Sequence, residues 1–587
     1  MSLGHFSYTQ GTIAFQLEGL PKDFIGDVGI RGSLSPLDWS KSIVLKNQGA
    51  IYSIDLVFPQ EGQELEFKFV LIDDDMEPQW EGIQNRTFTI PATGAIVVSK
   101  NKWNSEQIVD ITSLKKIEPQ KLLEDYALIE KMVLDVHPGT YRYNSKREIN
   151  QALVKLKEKF SNPLTLQEVY LATSELMAQL KCDHTKAGFN NQGKVINSII
   201  HYQEDKLPFT FKWIEDKMVI DYDASENKIL PRGTLVYHIN GVQAKNIKDQ
   251  LMPLVGADGA TDKNRTYKLE INGYDFRYNA FDIFYPLVFP LDNSEVELTV
   301  QLPNQKVKKS IKVTTVSRDE RADILASRYP NFPNSRDDLW SFEIVSDDVA
   351  ILKLNSFGLM GWKAMTIDYK KFLADAFEQL RTEKIDNLIL DIRENNGGND
   401  EMANELFSYL AESSIHLNRE GRTRYVDFPM ELKPYVQTWG DNPWYFNLNP
   451  KEAKTEDGYY VFKNNFNQSL KKTDKEVYRG KSYLLISAAN TSLAFYTAYR
   501  FKKQKLGLLI GQQTGGNLND INGGQILFLR LPNSKIEIDF PVMGGFSNDK
   551  QPDSGVIPDI QIKNTLRSFR ENRDLEMEKA FELIGGR

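Results

Sequence analysis

Apolar and polar residues alternate along the first hundred positions, in "GTIAFQLEG", "AIYSIDLVF", "ELEFKFVLI", "RTFTIP" and "AIVVSK". A two-residue period puts every second side chain on one face, and Gly, Pro and Asp separate the runs, so residues 1–105 are predicted to form a small antiparallel β-sandwich. The period then lengthens. Within residues 117–190, "QKLLEDYALIEKMVLDVHPGTYRY", "KREINQALVKLKEKF" and "LTLQEVYLATSELMAQLKC" carry apolar residues at three- and four-residue steps, which predicts a helical segment. Short strands return over 205–315, where "GTLVYHINGVQAKNIKDQLMPLV" reads as strand, turn and helix inside a β-rich unit. Over 340–587 strand and helix alternate: "VAILKLNSF", a helix near 362–382, "IDNLILDI", a helix near 400–411, "SYLLISA", a helix from 492, and "LGLLIG". Such alternation predicts an α/β layered core, and the whole chain reads as a multidomain α/β protein.

Composition narrows the partners more than the fold. A chain of 587 residues outgrows one hydrophobic core, and about three or four domains are expected. A net charge of −8 argues against nucleic acid or an anionic membrane as the main partner, and no basic cluster interleaved with aromatics occurs. No stretch reaches the roughly 18–20 uninterrupted apolar residues of a membrane span. Cys182 is the single cysteine, which excludes an intrachain disulfide and any multi-cysteine metal site. The opening Met-Ser-Leu-Gly has neither a basic nor an apolar signal region and reads like the scar of an expression vector, so a native signal peptide is expected to have been removed.

Two stretches could carry chemistry. "LILDIRENNGGND" runs from a buried-type strand, 388–392, through a loop with Gly397 and Gly398 into a helix. Backbone N–H groups exposed there would stabilise a developing negative charge, while a left-handed turn that needs glycine is the plainer account. "SYLLISAANTSLAFYTAYRFKKQ" passes from strand to helix, and Ser492 stands where helices recruit a capping serine. On local grounds the cap is favoured, because a nucleophilic serine also needs a base. The histidines are His5, His137, His184, His201, His238 and His416. His5 lies in the terminal tail, and His238 sits in a strand, where a core role is expected. His137 precedes Pro-Gly at a helix end, where a cation suits the helix dipole. His201 and His416 have nonspecific surroundings. His184, in "LKCDHTKAGF", lies between a helix and a strand-like run, beside Asp183. None is decisive alone.

Taken in order, "DHT" after the helical region, "INGVQAKNI", "LILDIRENNGGN", "NTSLAF", "GQQTGGN" and "GVIPDI" resemble the C-terminal processing peptidases, the serine peptidase family that includes the tail-specific proteases and the tricorn core. The likeness runs over about residues 117–565, and the ordered set is more specific than any one motif. It implies a crotonase-like catalytic core at 340–587, a PDZ-like domain at 205–315, and a helical segment at 117–190 that contributes the catalytic histidine. The implied activity is that of a serine endopeptidase acting on a peptide or unfolded protein. Ser492 would be its nucleophile, and backbone N–H groups near Gly397, Gly398 and Leu493 would hold the oxyanion. The family uses two bases. The lysine of one version falls at Asn517 here, and Lys502, Lys503 and Lys505 do not match it; the histidine of the tricorn-like version is matched by His184. An acid near the "GV-PD" segment would orient the imidazole, with Asp553 as the candidate and Asp549 and Asp183 as rivals. No metal and no organic cofactor are implied.

The chain also departs from that family. Where many relatives have Ser-Ala-x-Glu it has Ser492-Leu493-Ala494-Phe495, so the alternative is a peptidase fold without catalysis that binds a peptide, glycan or small apolar ligand. The PDZ-like unit could add a peptide as an extra strand or serve structure alone. "GDVGIRGSLSPLDW", "LEFKFVLIDDD" and "QWEGIQNRTFTIP" are similar in order and spacing to starch-binding β-sandwich modules, with Trp39 and Trp80 at the positions that stack on sugars. Core or edge aromatics of a module that braces the peptidase is the role favoured for this pair, and carbohydrate binding is the alternative. Relatives with such appendages often carry export signals, which implies an extracytoplasmic location.

Overall fold

The sequence periods reappear as layers. The computed structural model of the chain describes residues 11–585 except 21–23, 25, 50, 60, 73–77, 82–84, 92–95, 104–115, 189–191, 194–195, 202, 273–278, 292–293, 331, 333–338, 359–367, 413–416, 439–443, 447, 449, 451–454, 456 and 463–474. His5, His416 and the start of the helix expected near 362 lie outside the described residues. The chain divides into two compact units, residues 1–112 with 197–203, and residues 113–196 with 204–587.

In the first unit, alternation buries one face of each long strand. Gly11–Glu18 turns Ile13, Phe15 and Leu17 inward, and Glu64–Ile72 does the same with Leu65, Phe67 and Phe69. One sheet orders Lys46–Asn47, Tyr52–Phe58, Gly11–Glu18 and Ile96–Lys102. The other orders Ile43–Val44, Asp27–Gly32, Glu64–Ile72 and Gln79–Trp80, with Arg86–Thr89 also on Glu64–Ile72. Phe15 meets Phe58 and Phe67 edge to face in the core. The sandwich is not wholly antiparallel, because Gly11–Glu18 pairs with Ile96–Lys102 in parallel. Those strands are joined through the whole module rather than by a hairpin, so nothing forces them to oppose.

The second unit begins with helices Pro119–Lys131, Lys146–Phe160 and Leu166–Gln179. The last two open with capping boxes, Ser145 with Glu148 and Thr165 with Glu168, which satisfy backbone donors that a helix start leaves unpaired. A sheet follows in the order Phe209–Ile214, Lys217–Asp223, Leu235–Ile239, Glu295–Gln301, Lys309–Thr314, with Val242–Gln243 on the third strand and helix Ala244–Leu251 after it. Two helices here, Asp262–Lys268 and Ala280–Val288, stand where strands were expected. In so short an apolar run as "AFDIFYPLV", periodicity cannot separate a buried helix from a buried strand.

The C-terminal sheet has six strands in chain order: β1 (Trp340–Ser346), β2 (Val349–Leu354), β3 (Asn387–Asp391), β4 (Lys481–Ile486), β5 (Leu508–Gly511) and β6 (Ile560–Gln561). β1 is antiparallel to β2, and the rest run parallel. Leu388, Leu390, Leu484 and Ile486 feed the core that includes α1 (Tyr369–Thr382), α2 (Asp400–Leu410) and α3 (Ser492–Gln504). Ile389, Tyr483 and Leu485 point the other way, into the cluster with α4 (Leu575–Gly585). Both faces of β3 and β4 are therefore covered, which is why they read as continuous apolar runs. Parallel neighbours place their following loops at one end of the sheet, and the loops after β3 and β4 carry the paired glycines and Ser492. A second sheet orders Val436–Gln437, Gly524–Arg530, Glu537–Ser547, Arg419–Thr423 and Tyr460–Val461. Among the described residues no helix is long and apolar enough to cross a membrane.

Candidate active site

The chain leaves β4 at Ile486 and turns into α3 at Ser492, whose φ of +48° is left-handed. A residue with a Cβ keeps such a conformation at a cost of order 1–3 kcal/mol, so the surroundings must impose it. The helix is capped at Thr491 and no side chain bonds its N-terminus, so the capping role open to Ser492 is not what it performs. Two fully buried asparagines hold the turn. Asn490 accepts the Ser487 N–H at 2.7 Å and donates to the carbonyls of Ile392 at 2.5 Å and Asn395 at 2.8 Å. Asn395 in turn donates to the Leu354 carbonyl at 2.8 Å and accepts the Gly397 N–H at 2.8 Å. The Thr491 hydroxyl completes the lacing by donating to the Asn396 carbonyl at 3.2 Å.

The glycines are required by space. A Cβ on Gly397 would lie 2.7 Å from the Ser492 Cβ and 2.9 Å from the Leu493 nitrogen, at a φ of +113°. One on Gly398 would lie 2.0 Å from the Phe357 carbonyl carbon. Gly397 was expected among the oxyanion donors, and the structure removes it, because its N–H is taken by Asn395 Oδ1. Among the described residues the N–H groups of Gly398 and Leu493 make no hydrogen bond. Leu493 is in the first helical turn, where donors have no partner within the helix.

His184 comes to this loop from the far side of the sequence, its Nε2 3.2 Å from Ser492 Oγ. A Cβ on Gly523 would lie 2.9 Å from the His184 Cε1, so glycine lets main chain lie against the ring. Thr185 anchors the segment on His137, whose Nε2 is 2.7 Å from the Thr185 hydroxyl and whose Nδ1 accepts the Gly139 N–H at 3.1 Å. His137 is thus a buried neutral ring and not a cation at a helix end: burial, with Arg142 and Arg424 nearby, pushes its pKa down to about 3. Burial, with Lys186 beside it, also pushes His184 down to about 3, leaving a neutral imidazole able to take a proton. His184 Nδ1 is buried and has no hydrogen-bond partner among the described residues. His238, expected in the core, is only half-buried, and His201 is buried in the segment grouped with the first unit.

None of the three expected acids bonds to that Nδ1. Asp553 Oδ1 accepts the Ala260 N–H at 2.9 Å and Asn517 Nδ2 at 2.7 Å, so it grips a turn, and Asn517 does so where a lysine would fall. Asp549 accepts from Asn418 at 2.8 Å on the surface, and the Asp183 carboxylate pairs with Lys268. The carboxylate the sequence did not reveal is Asp258. Its oxygen, the Cys182 sulfur and a ring nitrogen of His184 all lie within 4.8 Å of one another. This trio suits a metal ion poorly. Burial and the Asp258 charge push the Cys182 thiol up to about 12, and the thiol donates to the Asn522 carbonyl at 3.4 Å, whereas metals bind thiolate. Phe495, the departure from Ser-Ala-x-Glu, is buried in the core, its ring stacked on Tyr499 and closed over by Gly516.

In the first unit, Trp39 and Trp80 have ring centroids 6.2 Å apart, with the Arg31 guanidinium 5.0 Å from the Trp80 centroid. Trp80 is 39% exposed on a two-residue edge strand and Trp39 is half-buried, so neither is a core aromatic.

Residues 348–562 match the family described as Peptidase family S41, and residues 12–100 match the family described as Starch binding domain. No curated protein matches the chain. Mature CPAF shares the fold at 14% identity, over 79% of this chain and 96% of its own, with a TM-score of 0.55. Mature CPAF complexed with lactacystin matches equally, over 97% of its own chain and 79% of this one, with 14% identity and a TM-score of 0.55. The photosystem II D1 C-terminal processing protease is similar at 14% identity over 76% of this chain and 92% of its own, with a TM-score of 0.35. The chain therefore carries a domain of the S41 peptidase family at residues 348–562, preceded in sequence by a β-sandwich that matches the starch-binding domain family, and is a serine-type peptidase.

Proposed function

We propose that this peptidase works through an acyl-enzyme on Ser492, with His184 as general base. The observation that carries the reading is the 3.2 Å approach of His184 Nε2 to Ser492 Oγ across 308 residues of chain. His184 takes the hydroxyl proton as Ser492 Oγ attacks the scissile carbonyl carbon. The carbonyl oxygen, now an oxyanion, receives the unengaged N–H groups of Gly398 and Leu493. His184 passes its proton to the leaving amine, then takes one from the water that attacks the acyl ester and returns it to the departing Ser492 Oγ, which regenerates the hydroxyl. One oxyanion donor lowers such a barrier by about 2.7–4 kcal/mol. In the same reading the C-terminal domain is crotonase-like, the sheet of residues 209–314 is a PDZ-like unit, the substrate is a peptide or unfolded protein, and the chain works outside the cytoplasm. The experiment is labelling with a fluorophosphonate probe. Wild type should be labelled and Ser492→Ala should not; no labelling of the wild type at any pH overturns the reading.

The pairing of the exposed Trp80 with the half-buried Trp39 supports a second activity in the N-terminal unit, retention on an α-glucan by stacking of sugar rings.

A further inference from the structure

We propose that Asp258 is the positioning residue of His184, accepting its Nδ1–H as Ser492 is activated. The inference rests on the Ser492–His184 reading above. For Nε2 to take the serine proton, the ring hydrogen must sit on Nδ1, and that N–H needs an acceptor in so enclosed a place. Once Nε2 is protonated the need is greater, because a partly buried imidazolium with its Nδ1 out of reach of water and Lys186 beside it requires a compensating charge.

Two orphaned atoms occur together here. His184 Nδ1 and Asp258 Oδ2 are both buried and both lack a hydrogen-bond partner among the described residues, and their side chains belong to the group whose polar atoms come within 4.8 Å. The other oxygen, Asp258 Oδ1, already accepts the N–H of Asp183 at 3.1 Å, the residue before His184. The next residue continues the lacing, the Gly259 N–H donating to the Lys181 carbonyl at 3.1 Å. Asp258 is thus tied by backbone to the segment that presents the histidine, and the proposal requires the gap between its unengaged Oδ2 and Nδ1 to close. Catalytic hydrogen bonds commonly tighten in this way when substrate binds. Asp553 serves the same turn from outside through Ala260 and Asn517.

The charge of Asp258 matters, because a protonated carboxyl cannot serve as this acceptor. Arg142, Lys186 and Arg265 favour its ionised form, Asp520 opposes it, and Tyr143 and Cys182 pack close by. Burial outweighs the cations and pushes it up to about 7. The acceptor is therefore present above that pH and lost below it, and His184, pushed down to about 3, does not supply a limb there.

The test measures the rate of fluorophosphonate labelling of the full chain from pH 5 to 9. Wild type should slow as pH falls through about 7. Asp258→Asn should label at least about a hundredfold more slowly at pH 8 and lose that limb, with Asp258→Glu recovering part of the rate. Asp553→Asn should stay within about tenfold of wild type with the limb intact. A flat wild-type profile, or an Asp553→Asn loss as large as that of Asp258→Asn, overturns the inference. The wild-type profile remains decisive if Asp258→Asn does not fold. Labelling of Ser492→Ala at the wild-type rate would instead overturn the Ser492 reading.

Discussion

Ser492 holds a left-handed backbone among close neighbours, and Gly397 is the one whose missing Cβ leaves room for it. Gly397→Ala should slow fluorophosphonate labelling by at least about tenfold and destabilise the chain by about 1–3 kcal/mol, since the new Cβ meets both Ser492 and Leu493 and sits at a φ of +113°. Labelling rate and urea unfolding check this together. Phe495 poses the opposite case. Restoring the acidic residue of the relatives with Phe495→Glu should abolish folding or cost more than about 3 kcal/mol, because the site is 1% exposed and packed against Tyr499 and Gly516. An active, stable Phe495→Glu chain would mean that the position lines the pocket instead.

Among elements, the loops after β3 and β4 behave as one body through Asn490 and Asn395. Asn490→Ala leaves one buried N–H and two carbonyls without their partner, so it should cost about 2–3 kcal/mol and reduce labelling more than an equally destabilising core change elsewhere. His137 links the same region to pH. Its folded pKa of about 3 lies below the unfolded value of about 6.5, so the unfolded chain gains the proton first and stability is lost as pH falls through that window. The melting temperature of wild type should therefore drop more between pH 7 and pH 5 than that of His137→Gln. These dependencies also explain what could be read from sequence. β3 and β4 were legible because burial on two sides leaves an uninterrupted apolar run, and the need for glycine beside Ser492 was legible in the doublet itself. Which N–H stays free was not, because it depends on the Asn395 side chain turning back to Gly397. Asp258 was hidden altogether: in "VGADGATD" it looks like a solvated turn, and the backbone it serves is 75 residues away.

For the whole molecule, the division into two units predicts independent failures. Trp80→Ala should lower retention on amylose resin by about tenfold, the scale of one lost aromatic contact, while the labelling rate of Ser492 stays at its wild-type value. Loss of both together would contradict two separable activities. The 308 residues between His184 and Ser492 have a consequence for the life of the chain. If the proposed pair does the chemistry, a polypeptide emerging from the ribosome exposes its proton acceptor long before its nucleophile exists, and a fragment ending ahead of residue 492 has no nucleophile to cut with. In that reading competence arrives only when both ends of the second unit have folded together.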